Sequence, residues 1–152
     1  MAQTRQMAIV VLALVLAGCG ADSYPPVEIL YADSGRLDRS NEGRVRFSET
    51  VTIPLQNGQG YAWRVYVRTN REKLKIREEI TVSAPTTWGG SSDLKVSADG
   101  RTATKVREID SAAGLIAGAW RVTDGDPPGP VQIKVTIAEL VAREFTFEFK
   151  RP

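Results

Sequence analysis

The chain has 152 residues, of which 42% are hydrophobic and 25% charged, with 20 Lys or Arg against 18 Asp or Glu. That is room for one ordinary domain, and the composition excludes wholesale disorder. One cysteine and no histidine exclude an internal disulfide, the usual zinc, copper and iron sites, and any histidine-activated nucleophile.

At the start, residues 1–6 carry Arg5, and residues 7–16 (MAIVVLALVL) form an unbroken apolar run, followed by Ala17, Gly18, Cys19 and Gly20. Positive, apolar, then small is the order of a secretory signal. The run is shorter than the roughly 20 residues a spanning helix needs. The quartet Leu16-Ala17-Gly18-Cys19 resembles the lipobox of bacterial lipoproteins. The resemblance implies cleavage between Gly18 and Cys19, a diacylglyceryl thioether on the Cys19 sulfur, and an acyl chain on the new amine. Two or three chains make a stable anchor where one is marginal. The alternative is an ordinary signal peptide with a chance cysteine.

No cofactor beyond those lipid chains is expected. By the same resemblance, an Asp in place of Gly20 would hold an enteric lipoprotein in the inner membrane. The expected address is therefore membrane-anchored and periplasm-facing, with the outer membrane favoured over the inner. Residues 19–26 would be the lipidated cysteine and a tether, GADSYPP over 20–26, reaching at most about 25 Å when extended.

Cleavage leaves 152 − 18 = 134 residues and, with Arg5 gone, 19 basic against 18 acidic side chains. Acids and bases interleave, as at Arg77-Glu78-Glu79 and Arg107-Glu108. A nucleic-acid partner is accordingly not expected, because such surfaces gather Lys and Arg on one face.

From residue 27 to 152 the pattern is β. No window holds an apolar stripe at helical spacing, while period-two alternation recurs. In order, strands are expected at Val27–Tyr31, Val45–Leu55 (stopping near Pro54), Gly60–Thr69, Leu74–Val82, Leu94–Ser97, Thr102–Ile109, Leu115–Val122, Val131–Ile137 and Phe145–Phe149. The clearest is Gly60–Thr69, with Tyr61, Trp63, Val65 and Val67 on one side and Ala62, Arg64, Tyr66 and Arg68 on the other. Turns are expected at Asn57-Gly58, Gly89-Gly90, Asp99-Gly100 and Asp124–Gly129. Trp120 through Phe149 runs as an aromatic strand, a Gly-Asp-Pro-Pro-Gly corner, an Ile/Val strand, a tight hairpin near Ala138-Glu139 and a Phe-x-Phe strand. It resembles the closing hairpin of immunoglobulin-like domains of bacterial envelope proteins, here without the inter-sheet disulfide usual in antibody domains. The expected fold is all-β, an immunoglobulin-like antiparallel sandwich.

Glu78 breaks the pattern. Leu74, Ile76, Ile80 and Val82 share its phase, and a lone carboxylate among them would be costly. The expected resolution is a β-bulge at Glu78-Glu79 that turns the side chain to water. The alternatives are a buried ion pair with an arginine and a tuned general acid. Trp88, in the loop Pro85–Ser92, is expected to fold down as a lid over one end of the sandwich; the alternative is an exposed ring stacking on a sugar or partner. Arg64, Tyr66 and Arg68 form a polar–aromatic strip on an outer face, a candidate contact surface. Asp124 and Asp126 are too few oxygens for calcium and are expected to cap turns.

No catalytic residue and no metal ligand stands out. The one Ser-x-x-Lys spacing, Ser92-Asp93-Leu94-Lys95, falls where a strand is expected and not on a helix that would set the two side chains on adjacent turns, and 134 residues leave little room for a substrate cleft. The expected role is a non-enzymatic scaffold, assembly or accessory protein that binds an envelope protein. A carbohydrate- or peptidoglycan-binding module, which would use Trp88, and a hydrolase inhibitor are the alternatives.

Overall fold

The computed structural model describes residues 27–89 and 92–152, so the expectations on Gly18, Cys19 and the tether lie outside the described residues. Ten strands follow in order: β1 (Glu28–Arg39), β2 (Val45–Glu49), β3 (Thr52–Pro54), β4 (Gly60–Arg68), β5 (Lys73–Val82), β6 (Lys95–Val96), β7 (Thr102–Asp110), β8 (Leu115–Arg121), β9 (Gly129–Ile137) and β10 (Val141–Lys150). They form a four-stranded sheet, β2-β1-β4-β8, and a six-stranded sheet, β3-β10-β9-β5-β7-β6. Apolar faces of the two sheets meet in one core, as each needs.

Alternation along the strands builds that core. From the small sheet, Tyr61, Trp63, Val65, Val67 and Ile116 point inward; from the large one come Leu74, Ile76, Ile80, Ile133, Val135 and Phe147. Trp63 stacks on Phe145, and Tyr61 meets Phe147 and Phe149 edge-on, with centroids 5.3 Å apart in both pairs. Burial pushes the Tyr61 phenol well above its ordinary range, so the ring stays neutral.

Two elements differ from expectation. β1 runs on past Tyr31 to Arg39, pairing with β2 on one side and β4 on the other, with a register shift between Ile29 and Tyr31. The stretch expected as one strand over Val45–Leu55 is two: β2 stays in the small sheet, and the chain then crosses to the large one, where β3 pairs with β10 in parallel. That is the one parallel ladder among the described residues; the rest are antiparallel.

The β9–β10 hairpin turns on Ala138 and Glu139 at φ 53° and 61°, a left-handed conformation that costs non-glycine residues about 1–2 kcal/mol each. The turn is held from outside: Ala138 N–H donates to the Lys75 carbonyl (2.8 Å), and Lys75 Nζ reaches Glu139 Oε1 (2.8 Å). Replacing the pair by Asn-Gly, the sequence this backbone prefers, removes an exposed ion pair of small worth. It is expected to raise stability by about 1 kcal/mol net. Chemical denaturation checks it, and an unchanged or lower midpoint would refute it.

Candidate functional site

Glu78 is the centre of the site. No bulge occurs at Glu78-Glu79: β5 keeps continuous register with β7 and with β9 through both residues. The carboxylate stays inward, 3% exposed. The expected bulge is therefore wrong, and the buried ion pair is what forms. The reason is that three donors converge on the side chain from other strands. Trp63 Nε1 from β4 (3.0 Å) and Trp120 Nε1 from β8 (3.1 Å) both donate to Oε2, while Arg107 Nε from β7 donates to Oε1 (3.1 Å). A buried carboxylate is tolerable once it is paired and its lone pairs are filled.

Arg107 has a second task. Its Nη2 donates to the Ala117 carbonyl of β8 (2.5 Å), so one guanidinium on the large sheet holds both the buried acid and the margin of the small sheet. The two indoles complete a polar strut across an otherwise apolar gap. Gly118, two residues before Trp120 on β8, leaves the space this needs. A Cβ there would lie 2.5 Å from the Trp63 ring and 2.6 Å from Glu78 Oε2.

The strut forms the back of a surface cleft of about 740 Å³, within the range of ligand pockets. It runs from the end of β1 over the start of β4, across β8, to β7. Its walls carry small residues, Gly60, Ala117 and Ala119, and the cations Arg39, Lys105 and Arg121. Lys105 and Arg107 sit in the inward phase of β7 with Ala103, and Lys105 is the cross-strand neighbour of Glu78. Arg39, Lys105 and Arg121 form no ion pair among the described residues, whereas Asp38 is held by Arg36 and Glu78 by Arg107. Among the described residues the cleft is thus basic, lacks a free carboxylate, and presents cations and backbone.

Trp88 packs against the core half-buried, and its Nε1 donates to the Gly100 carbonyl (2.8 Å). The ring thus lies against the core, as a lid would, and its N–H is already taken. Arg64, Tyr66 and Arg68 do share the outer face of β4, but each is engaged there. Arg64 pairs through two nitrogens with the buried Asp33, which raises the guanidinium pKa, and its plane lies 3.8 Å from the Phe47 ring centroid. Tyr66 leans on Tyr31, and Arg68 pairs with Glu28. Asp126 accepts from the Thr123 N–H (2.8 Å) and the Thr86 hydroxyl (2.9 Å), and Asp124 from the Asn57 amide (3.0 Å), so both aspartates tie loops together. No group of three acidic or thiol ligands able to hold a metal occurs among the described residues.

Sequence reasoning missed the cleft and Arg107. The available signal was the inward phase of Lys105 and Arg107 on a strand that otherwise turns Ala103 and Ile109 to the core.

Comparison with solved structures finds an immunoglobulin-like protein from Pseudomonas aeruginosa, with a TM-score of 0.56 at 14% identity over 84% of this chain and 99% of that one. At that identity the likeness is one of fold. The alkylpurine DNA glycosylase AlkC of Pseudomonas fluorescens also matches, with a TM-score of 0.35 at 17% identity over 77% of this chain and 30% of that one. That likeness is too loose to carry an argument. Comparison with curated proteins finds no match. Residues 32–150 match the family described as PM0630 beta sandwich domain, a span from within β1 to the end of β10; the chain belongs to that family, with an immunoglobulin-like fold.

Proposed function

We propose that the protein is a membrane-tethered envelope lipoprotein whose sandwich binds a protein partner and performs no chemical step. The observation that carries this reading is the state of Glu78. The one carboxylate buried in the cleft has both oxygens taken by Trp63, Trp120 and Arg107, an arrangement that stiffens a surface. What remains in the cleft, unpaired cations and exposed strand backbone, suits recognition. The lipobox at Leu16–Cys19 supplies the anchor, and the short tether over residues 20–26 keeps the domain near its membrane.

Mass spectrometry of the native product should find a peptide that begins at Cys19 and carries a diacylglyceryl group and an N-acyl chain. Cys19→Ser should move the protein from the membrane pellet to the soluble fraction. An intact Met1 or a bare thiol at Cys19 would remove the anchor. For the binding role, photo-cross-linking residues placed across the sandwich surface in intact cells should yield one discrete protein adduct. If no surface position gives an adduct, the binding role fails.

A further inference from the structure

The four free margins of the two sheets are not alike. Margins that should stay unpaired are kept short, charged, bulged or closed by proline. β6 has two residues, and β7 beyond it carries Lys105, Arg107, Glu108 and Asp110. β3 has three residues and ends at Pro54. β2 carries Arg46 and Glu49 and is flanked by Arg44. β8 is the least guarded: over seven residues it holds no proline and no charge before its last residue, Arg121, and its register with β4 is continuous.

The ladder shows which groups β8 leaves open. Val67 N–H donates to the Gly114 carbonyl, and Val122 N–H to the Gln59 carbonyl, both in line with the β4–β8 register. Bonded pairs recur at every second residue of an antiparallel ladder. Ile116, Gly118 and Trp120 therefore turn their peptide groups to β4, while Leu115, Ala117, Ala119 and Arg121 turn theirs outward. The Arg107 bond to the Ala117 carbonyl confirms that direction. The other outward groups have no partner among the described residues. Beside this margin the cleft carries Arg39, Lys105 and Arg121 without ion-pair partners among the described residues.

We propose that β8 accepts an extended, acidic segment of a protein partner as a fifth strand of the small sheet. Backbone bonds to the outward groups of Ala119 and Arg121 would provide the attachment, as in strand addition generally. The three cations would select carboxylate side chains on the incoming strand. This rests on the protein-binding reading above and names the place and chemistry of that contact.

The test uses the full-length lipidated chain in intact cells, with a photo-reactive residue at Ala117 on the exposed face of β8 and, in a second strain, at Arg46 on β2. The Ala117 position should capture a segment rich in Asp and Glu, and the Arg46 position should not. Ala119→Pro removes one outward N–H without touching the ladder to β4. It should lower the yield by about tenfold, as should the charge reversal Arg39→Glu with Arg121→Glu. Arg46→Glu should leave the yield unchanged. Circular dichroism and the melting temperature of each purified variant report folding, and the charge reversal tests the proposal independently if the proline variant unfolds.

Capture of a basic segment, of a second copy of this chain or of its own residues 19–26 would overturn the proposed occupant. An adduct from other surfaces that survives both variants would overturn the place while leaving the protein-binding reading intact. Absence of any adduct sinks the binding reading itself.

Discussion

Arg107→Ala is expected to lower the unfolding free energy by about 3 kcal/mol, because it strips a buried carboxylate of the cation paired with it. Glu78 would keep the two indole N–H donors, but Oε1 would face the cleft unpaired, and the Ala117 carbonyl would lose its clamp. The figure sits at the low end for breaking a buried pair, since the Arg107 side chain is 30% exposed and its removal admits water. Against a typical domain stability of about 5–15 kcal/mol, the loss is large. It corresponds to a fall in melting temperature of roughly 10 °C for a domain of this size. The control is the double change Glu78→Leu with Arg107→Leu, which removes charge and partner together and should recover most of the loss. Calorimetry of wild type, both single variants and the double variant closes the cycle. A single Arg107→Ala costing under about 1 kcal/mol, the range of an exposed pair, would show that the bond to Glu78 does not form.

Gly118→Ala is expected to cost about 2–3 kcal/mol through overpacking, although alanine adds one methyl group. The added carbon would sit 2.5 Å from two atoms of the Trp63 ring and 2.6 Å from Glu78 Oε2. Trp63 is fully buried, stacked on Phe145 and bonded through its N–H, so the ring has nowhere to move. The strain is steric; Gly118 is absent from the glycines with positive φ. Its neighbours provide the contrast. Ala117 and Ala119 point to the exposed face, and Ala117→Ser is expected to stay within about 0.5 kcal/mol of wild type. Urea unfolding of the two variants side by side decides the point. Equal midpoints would mean that β8 does not approach Trp63 this closely.

These two expectations mark how far the sequence could be read. β4, β9 and β10 were legible because an apolar residue at every second position is a local signal, and the sheets buried the faces it named. The second half of β1 was not legible. Ala32-Asp33-Ser34-Gly35 lacks β-branched or aromatic residues, and it is a strand because β2 and β4 grip it from both sides and Arg64 neutralises Asp33. Glu78 shows the limit most clearly. Alternation placed it inward correctly, and a bulge was the sound local remedy for a lone buried charge. The actual remedy came from Arg107, 29 residues on, and Trp120, 42 residues on. Nothing within a local window pairs those residues. For the same reason the cleft, which gathers pieces of β1, β4, β7 and β8, could not be drawn from the sequence. The reading of Trp88 as a lid succeeded because a tryptophan beside a strand end usually finds apolar cover, and the Gly100 carbonyl takes up its N–H.

The crossing of the chain between sheets at Thr50-Val51 sets a schedule for folding. β3 has only three residues, and its ladder is to β10, with Thr52 opposite Glu148. Closing so distant a pair costs chain entropy before any contact repays it, which slows the search. A nascent chain that has delivered β1 through β9 thus has no place to lodge Ile53, a fully buried side chain in the finished protein. Until β10 arrives, that isoleucine lacks its place in the core and one backbone edge of β9 stays unpaired, the kind of exposed surface on which partly folded chains associate.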